Sequence, residues 1–585
     1  MTGALPIGPF VLLDDARAAG AAPARLYENP SRIIAATTSD AVRPALDALA
    51  AAAQEGLHAA GFIAYEAGLA LEPKLAGLAR DPGLPLIWFG LFDRYRKIAP
   101  DEVASLLPPP ESGWAGVPRP DIGRVEYEAV FRRVKDLIAA GDIYQANLTL
   151  RCNVPVAGHP AAVYAGLRER AAAGYGGLIW TGTDWLLSLS PELFFASQRG
   201  KLTAKPMKGT VARAGDDQAE IAALREDPKQ RAENLMIVDL LRNDLSRVAE
   251  AGSVEVPALF AVETYPTVHQ MTSTVTARLR DGEDAASTIA AIFPCGSITG
   301  APKIRAMEVI AEVEPSPRGI YTGGIGRIDA NGDAAFNVAI RTLHLRDGEA
   351  TARLGLGGGI VADSRADEEW AECLAKGRFV ADPCGIDLIE TMRFDPAGGI
   401  HLLDRHIARI GESARAFGIA FDRHAVRNEL QAATFRIAAP RRVRLMLSAS
   451  GEIAIEVGRL HATPDAPVEV AMAPLPTDAG DFRLRHKTGD RSLYSNARAE
   501  SGAFECVFVD PEGFLTEGSF TNIFVKGEGA LKTPPLSRGL LPGVLRAELL
   551  ENGSAIEADL KPADLTQGFF IGNASRGLLE ARLVG

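Results

Sequence analysis

The hydrophobic pattern of this chain stops and begins again at one place, "FVADPCGID" (residues 379–387), and that break constrains the fold more than any bulk property. After it a strand-like "DLIETMRF" meets the turn "DPAGG" and a second short strand, "IHLL". A helix follows, with Ile407, Ile410, Ala414 and Phe417 on one face and Gly418 as its stop. A chain of 585 residues is too long for one hydrophobic core. The break near 380–386 therefore reads as a domain boundary, giving domains of about 1–380 and 386–585. Within the first, a subdomain of about 1–115 precedes a core of about 120–378. The proline-rich "LPPPESGWAGVPRP" (Leu107 to Pro120) reads as an exposed connection between them.

Patterns in the core are sharp. "EYEAVFRRVKDLIAAGDIYQ" carries Val130, Val134, Leu137 and Ile138 at helical spacing and ends at Gly141. "DPKQRAENLMIVDLLRNDLSRV" opens a second helix, with Asp227 as N-cap, Pro228 at the first position and Gln230 placed for a capping-box-like arrangement. "WLLSLSPELFFAS", "YTGGIGRI", "AFNVAIRTLHL" and "ATARLGLGGGIV" read as strands. Strand groups alternating with helices predict an α/β or α+β two-domain protein.

Composition excludes several classes. A net charge of -12 argues against a general binder of nucleic acid or anionic membrane, although a local basic pocket for a small anion remains open. The five cysteines are scattered without CxxC spacing, which fits a reducing cytosol. "MTGALPIGPFVLLDD" lacks a basic n-region, and no apolar run of about 20 residues occurs, so neither a signal peptide nor a membrane span is expected. The reading is cytoplasmic.

Four places carry ionisable groups where chemistry could sit. In "KPMKGTVAR", Lys208 lies between Pro206-Met207 and Gly209-Thr210; alone it is an ordinary solvated turn lysine. Glu192, in "LSPELFF", falls inside an apolar strand pattern, where an unpaired carboxylate is costly. Glu233 opens a face of an apolar helix. Glu369, Glu372 and Lys376 follow at i, i+3 and i+7 in "DEEWAECLAKGR", which on its own is an ordinary Glu–Lys helical pairing.

Together, these segments resemble the chorismate-utilising enzymes, which include anthranilate synthase, isochorismate and salicylate synthases and aminodeoxychorismate synthase component I. The resemblance runs from about 120 to 378 through "GDIYQANLT" (141–149), "SPELFF" (190–195), "KPMKGT" (205–210), "AENLMIVDLLRNDLSRV" (232–248), "CGSITGAPKIRAMEVI" (295–310), "GIYTGGIG" (319–326), "NVAIRTL" (337–343) and "GLGGGIVADS" (355–364). It implies an anthranilate synthase component I-like domain that binds chorismate. Arg341 would take a carboxylate, Tyr321 and the backbone of Gly357, Gly358 and Gly359 would supply hydrogen bonds, and Thr299 and Gly300 would line the ring. Mg²⁺ would be held by Glu233 and Glu372, with Glu369 behind them; many relatives also carry a carboxylate where this chain has Gln230. Glu192 would be the general acid for the departing C4 hydroxyl, and His269 falls at a family histidine. Lys208 matches the nucleophile of the aminodeoxychorismate branch, where anthranilate-forming relatives have alanine; as a nucleophile its amine must lose its proton. Met207 replaces the usual isoleucine.

In the second domain, "RHKTGDRSLYSNARA", "FLTEGSFTNIFV" and "LLPGVLRAELL" resemble, in this order, the fold-type IV pyridoxal-phosphate enzymes over about 386–585. The resemblance implies that Lys487 forms the Schiff base and shuttles protons, Glu517 pairs with the pyridinium nitrogen and Asn522 steadies that region. Arg409 and the N–H groups of Val544 and Leu545 would bind phosphate, with Asn573 and Ala574 closing the cup. Thr391 falls where lyases place a hydroxyl near the reacting centre.

The pairing implies a bifunctional enzyme that makes 4-aminobenzoate, a folate precursor, from chorismate: amination at C4, then elimination of pyruvate. No Gly-x-Cys-x-Gly elbow occurs, so ammonia would come from a separate glutamine amidotransferase. Fold-type IV relatives are usually dimers, which implies a homodimer through the second domain. A chorismate aminase joined to a D- or branched-chain aminotransferase is the competing enzyme. A sensor without catalysis predicts missing catalytic groups, yet Glu192, Lys208, Glu233, Glu372, Lys487 and Glu517 are all present.

Overall fold

Runs of alternating or continuous apolar residues build the strands that organise the first part of the chain. In "DWLLSLS" every residue of the strand Asp184–Ser190 is buried, as expected for a central strand covered on both faces. The computed structural model describes residues 5–213, 215–264, 268–381, 385–462, 464 and 467–584. It divides into two compact units: residues 1–110, 117–154 and 160–381, and residues 111–116, 155–159 and 382–585. Part of the sequence break itself, residues 382–384, lies outside the described residues.

The first unit is built on two large sheets. Neighbours in one sheet include Gly300–Ala301, Gln145–Gly158, Thr351–Ile360, Thr342–Arg346, Asp184–Ser190, Tyr175–Trp180 and Phe10–Asp14. The other runs Met207–Ala212, Val268–Arg278, Lys201–Lys205, Leu193–Gln198, Ala334–Asn337, Gly324–Ile328, His58–Ile63, Ile87–Phe92 and Arg32–Ala36. Strands from the first hundred residues are thus interleaved with those of the core. Pairing through both sheets is antiparallel, so of the two classes the sequence allows, α+β is the one built.

Val11, Tyr27, Ile179 and Leu186 of one sheet share a buried cluster with Phe62, Trp88 and Ile325 of the other. Each large side chain fully buried there contributes roughly 2–3 kcal/mol. The helices Val42–Gln54, Pro228–Ser246 and Ala285–Ile292 join Phe194, Phe195 and Phe336 in a second cluster. The helix Arg124–Ala139 buries Tyr127, Phe131, Val134 and Leu137, while Val130 and Ile138 are half-buried.

The second unit has a four-stranded and an eight-stranded sheet. In the smaller, Leu388–Asp395 pairs with Arg441–Leu447 and supports the helix Leu403–Ala416, whose Ile407, Ile410 and Ala414 are buried as the spacing predicts. The larger contains Glu505–Val509, Leu515–Gly518, Asn522–Lys526 and Phe569–Asn573 and closes over Val470, Val507, Ile523 and Ile571.

Three expectations are corrected. The proline-rich stretch is not an exposed connection throughout: Gly113–Ala115 is a strand paired with Val156–Gly158, and Trp114 is buried edge-on to Phe417 with ring centroids 5.0 Å apart. Burial of the indole outweighs the local proline signal. Asp227 does cap its helix, accepting from the N–H of Lys229 and Gln230, but the Gln230 side chain turns toward Gly209 instead of closing a box. Of "IHLL" only Ile400 is strand, in the pair Gly399–Ile400, because the chain turns into the next helix. Among the described residues no helix is long and apolar enough to cross a membrane.

Candidate active sites

Lys208 owes its position to an irregularity in a strand pair. Between Met207↔Thr272 and Thr210↔Gln270 the strand Met207–Ala212 holds one more residue than its partner, a β-bulge. Gly209 takes φ +95° there, a conformation that side-chain-bearing residues rarely adopt. Side chains pin both bulge carbonyls: Asn234 Nδ2 donates to Lys208 O (3.2 Å) and Gln270 Nε2 to Gly209 O (2.8 Å). Asn234 is itself buried and accepts from Ser273 Oγ at 2.6 Å. The bulge aims Lys208 Nζ to 3.7 Å from Glu233 Oε2.

Glu192 is 5% exposed and accepts from Ser297 Oγ at 2.9 Å. Burial pushes its carboxyl up to about 7, against the opposing pull of Ser297 and the charge of Lys208. A carboxylic acid half-protonated near neutrality and close to an amine suits proton donation to a leaving group.

The three glycines of the strand Thr351–Ile360 mark where other elements converge. A Cβ on Gly357 would stand 2.6 Å from Leu148 O, one on Gly358 3.0 Å from Glu369 Oε2, and one on Gly359 2.8 Å from Gln145 Nε2 and 3.4 Å from Lys208 Nζ. Gly357 O accepts from Lys376 Nζ at 2.9 Å. Gln145 is 1% exposed, and its Nε2 has no acceptor among the described residues. That donor lies inside "GDIYQANLT", but only the fold shows that it faces Lys208.

The acids assigned to the metal lie in one field of alternating charge. Glu233 pairs with Lys208, exposed Glu372 with Lys376 (2.8 Å), and half-buried Glu369 accepts from Ser364 Oγ (2.7 Å). Burial and the charge of Glu372 hold the Glu369 carboxyl above its ordinary range. A set of carboxylate oxygens is the donor chemistry a hard cation takes.

Of the substrate-binding candidates, Thr299 is fully buried, donating to the carbonyls of Cys295 and Gly296, both at 3.1 Å. Gly300 must be glycine, because its φ is +147° and a Cβ would stand 2.2 Å from Gln145 O. Tyr321 is 8% exposed and lies over Gly355, where a Cβ would collide with its ring. Burial holds its hydroxyl far above the usual phenol range, so it stays a donor. Arg341 is half-buried in the turn between Ala334–Asn337 and Thr342–Arg346, at φ +50°. His269 is fully buried, with Nδ1 3.0 Å from Thr264 Oγ1 and Nε2 3.3 Å from both Asp217 Oδ1 and Glu220 Oε2. Its polar partners are on Thr264 and the helix Asp217–Glu226.

The second unit contains a cavity of about 470 Å³ lined by Thr391, Arg409, Lys487, Glu517, Asn522, Val544, Asn573 and Ala574, among others. Burial pushes the Lys487 amine down to about 7, helped by the charges of Arg409, Arg491 and Arg444 and opposed by Glu390. Glu517 is 3% exposed and accepts from Tyr494 Oη (2.8 Å) and Leu541 N (3.1 Å); burial lifts its carboxyl to about 7.

Arg409 grips Glu390 with Nε (2.8 Å) and Nη2 (2.6 Å) and donates Nη1 to Pro542 O (3.1 Å). That fixes its guanidinium beside the start of the helix Val544–Glu551, whose first N–H groups have no intrahelical partner. A Cβ on Gly543 would lie 1.8 Å from Asn522 Oδ1. Asn573 Oδ1 accepts from the N–H groups of Ser575 and Arg576, both at 3.0 Å. An amine of lowered pKa, a facing buried acid and a cradle of Arg409 plus a helix N-terminus fit an aldehyde-bearing pyridine phosphate. Sequence reading missed Glu390 and His406. Glu390 is 1% exposed, and Arg409 and His406 hold its carboxyl far below the usual range.

Residues 8–382 match the family model for chorismate binding enzymes. The chain belongs to the chorismate binding enzyme family. Residues 387–584 match the model for class IV amino-transferases. Among curated relatives of this chorismate-binding chain, aminodeoxychorismate synthase component 1 of Salmonella typhimurium is 37% identical over 351 residues, 56% of this chain and 76% of that protein. The 2-amino-4-deoxychorismate synthase of Streptomyces globisporus is 41% identical over 290 residues, 48% of this chain and 58% of that protein. Crystalline anthranilate synthase component I from Streptococcus pneumoniae superposes with a TM-score of 0.54 at 28% identity, covering 62% of this chain and 93% of that one.

Proposed function

We propose that this chain makes 4-aminobenzoate from chorismate and ammonia in two steps, one in each unit. The observation that carries the reading is Lys208, raised on its bulge beside Glu192 and Glu233 in a chorismate-binding fold, in a chain whose other unit pairs Lys487 with Glu517. Relatives of this family include producers of both 2-amino and 4-amino products, so overall similarity does not choose between them; the lysine does.

In the first unit Lys208 Nζ attacks C2 of chorismate, the ring double bonds shift, and the C4 hydroxyl leaves as water with the proton held by Glu192. Ammonia then adds at C4 and the lysine departs from C2. Gln145 and Tyr321 donate to the substrate, and Arg341 takes a carboxylate. Magnesium, held by Glu233 and Glu372 with Glu369 behind them, would offset the charge of the ring carboxylate.

In the second unit pyridoxal phosphate, seated by Lys487, Glu517, Asn522, Arg409 and the 543–545 helix start, would supply the electron sink that makes the C–H beside the amine acidic. Lys487 would move that proton, and the Glu517 carboxylate would pair with the protonated ring nitrogen. Pyruvate leaves, and aromatisation drives the step. Ammonia is drawn from a separate glutamine amidotransferase, and we place the enzyme in the cytoplasm, in folate biosynthesis, as a homodimer through its second unit.

Two variants separate the half-reactions. Lys208→Ala should lower ammonia-dependent formation of 4-amino-4-deoxychorismate at least a hundredfold, about 2.7 kcal/mol of transition-state stabilisation, while conversion of supplied aminodeoxychorismate continues. Lys487→Ala should show the reverse and lose the visible absorbance of bound cofactor. Full amination by Lys208→Ala would contradict the nucleophile assignment.

A further inference from the structure

The cavity around Lys487 holds more positive charge than a phosphate requires. Arg409 is committed to Glu390, and Arg442 donates to Glu456 Oε1 at 2.7 Å. Arg491 lies 3.8 Å over the Tyr494 ring and donates to Ser519 O. Like Arg491, the arginines Arg444, Arg498 and Arg576 have no carboxylate partner among the described residues, and Arg576 also donates to Ala462 O at 3.5 Å.

Arg444 sits opposite Thr391 in the register of two antiparallel strands, so both side chains leave the same face. Its Nε is buried without an acceptor among the described residues, and its charge is one of those that bear on the Lys487 amine. Arg498, from the helix Ser492–Ser501, and Arg576, from the turn after Asn573, both stack on Phe520, at 5.2 and 5.7 Å from its centroid. Arg576 also lies 5.6 Å over Phe504. Two like charges gathered on one ring repel each other, and burial adds to the cost for Arg576. An anion between them removes that cost.

We propose that this cavity has two carboxylate positions, Arg444 beside Lys487 and the Arg498–Arg576 pair on Phe520, and so selects a dicarboxylate amine over a monocarboxylate amino acid. The inference rests on the lyase reading above and gives it a substrate orientation. In 4-amino-4-deoxychorismate the enolpyruvyl ether is attached next to the amine-bearing carbon, so its carboxylate reaches Arg444. The ring carboxylate lies across the ring from the amine and reaches the arginine pair. A planar guanidinium pairs with a carboxylate through two parallel hydrogen bonds, which fixes direction as well as charge.

The test uses the pyridoxal-phosphate-loaded full chain and reads perturbation of its visible absorbance, a signal confined to this cavity. The probes are 3-[(1-carboxyvinyl)oxy]benzoate and benzoate. The dicarboxylate should bind at least tenfold more tightly. Arg444→Gln should weaken it about tenfold, and Arg498→Gln with Arg576→Gln should bring it to the level of benzoate. Arg498→Lys with Arg576→Lys, which keeps the charge, should recover most of the affinity and guards against loss through misfolding. Equal affinity for the two probes in the unaltered protein, or unchanged affinity in the double glutamine variant, would overturn the proposal. Pyruvate release from 4-amino-4-deoxychorismate is measured beside it: probe selectivity without pyruvate leaves the two positions standing and removes the lyase.

Discussion

At the scale of single residues, the chemistry of the first unit turns on an acid that burial keeps protonated. With its carboxyl lifted to about 7, Glu192 carries its proton below that pH and loses it above. The ratio of the unaltered enzyme's amination rate to that of Glu192→Gln, in which the need for a neutral Lys208 amine cancels, should therefore hold level below pH 7 and fall above it. Glu192→Gln should lower the rate at least a hundredfold at pH 6. A ratio that stays flat to pH 9 would show that another group delivers the proton. The ionisable residues were legible in the sequence because their types and neighbours are unusual: a glutamate in an apolar strand, a lysine between Pro-Met and Gly-Thr. Ser297, Gln145 and Glu390 were not singled out, since each acts across space on a group far away in sequence, and no local pattern marks that.

At the scale of elements, glycine controls how closely the pieces approach. Gly543 opens the helix Val544–Glu551, and only the absence of a side chain there lets Asn522 come under the turn. Gly543→Ala should push that turn outward and weaken pyridoxal phosphate binding tenfold or more in a fluorescence titration, with chorismate amination unchanged. Retained cofactor affinity would mean that the turn shifts at no cost. Helices were the most legible elements: Asp227 capping Pro228–Ser246, and the stripe Ile407, Ile410, Ala414, follow from local rules. Pairing order and the bulge at Lys208–Gly209 did not, because they depend on which distant strand arrives as partner. Gln230 shows the limit of local reading, since tertiary contact with Gly209 draws it away from the cap.

At the scale of the whole molecule, the chain does not part cleanly at one point. The sequence break marks where the second unit begins, yet residues 111–116 and 155–159 also belong to it. Trp114 anchors the first of these segments, packing with Phe417, Ile407 and Val443 in the core of the smaller sheet. Trp114→Ala removes a buried aromatic and should cost about 3–5 kcal/mol, seen as a lower urea midpoint for the transition that carries the visible cofactor band. An unchanged midpoint would mean that the indole adds little to that core.

The central claim is that one chain carries chorismate to an aromatic amine through both units. Incubation with chorismate, ammonium, magnesium and pyridoxal phosphate, followed by product analysis, tests it most directly. The account predicts 4-aminobenzoate and pyruvate in equal amounts. Accumulation of 4-amino-4-deoxychorismate with keto-acid-dependent amino transfer, or a product aminated at C2, would contradict it.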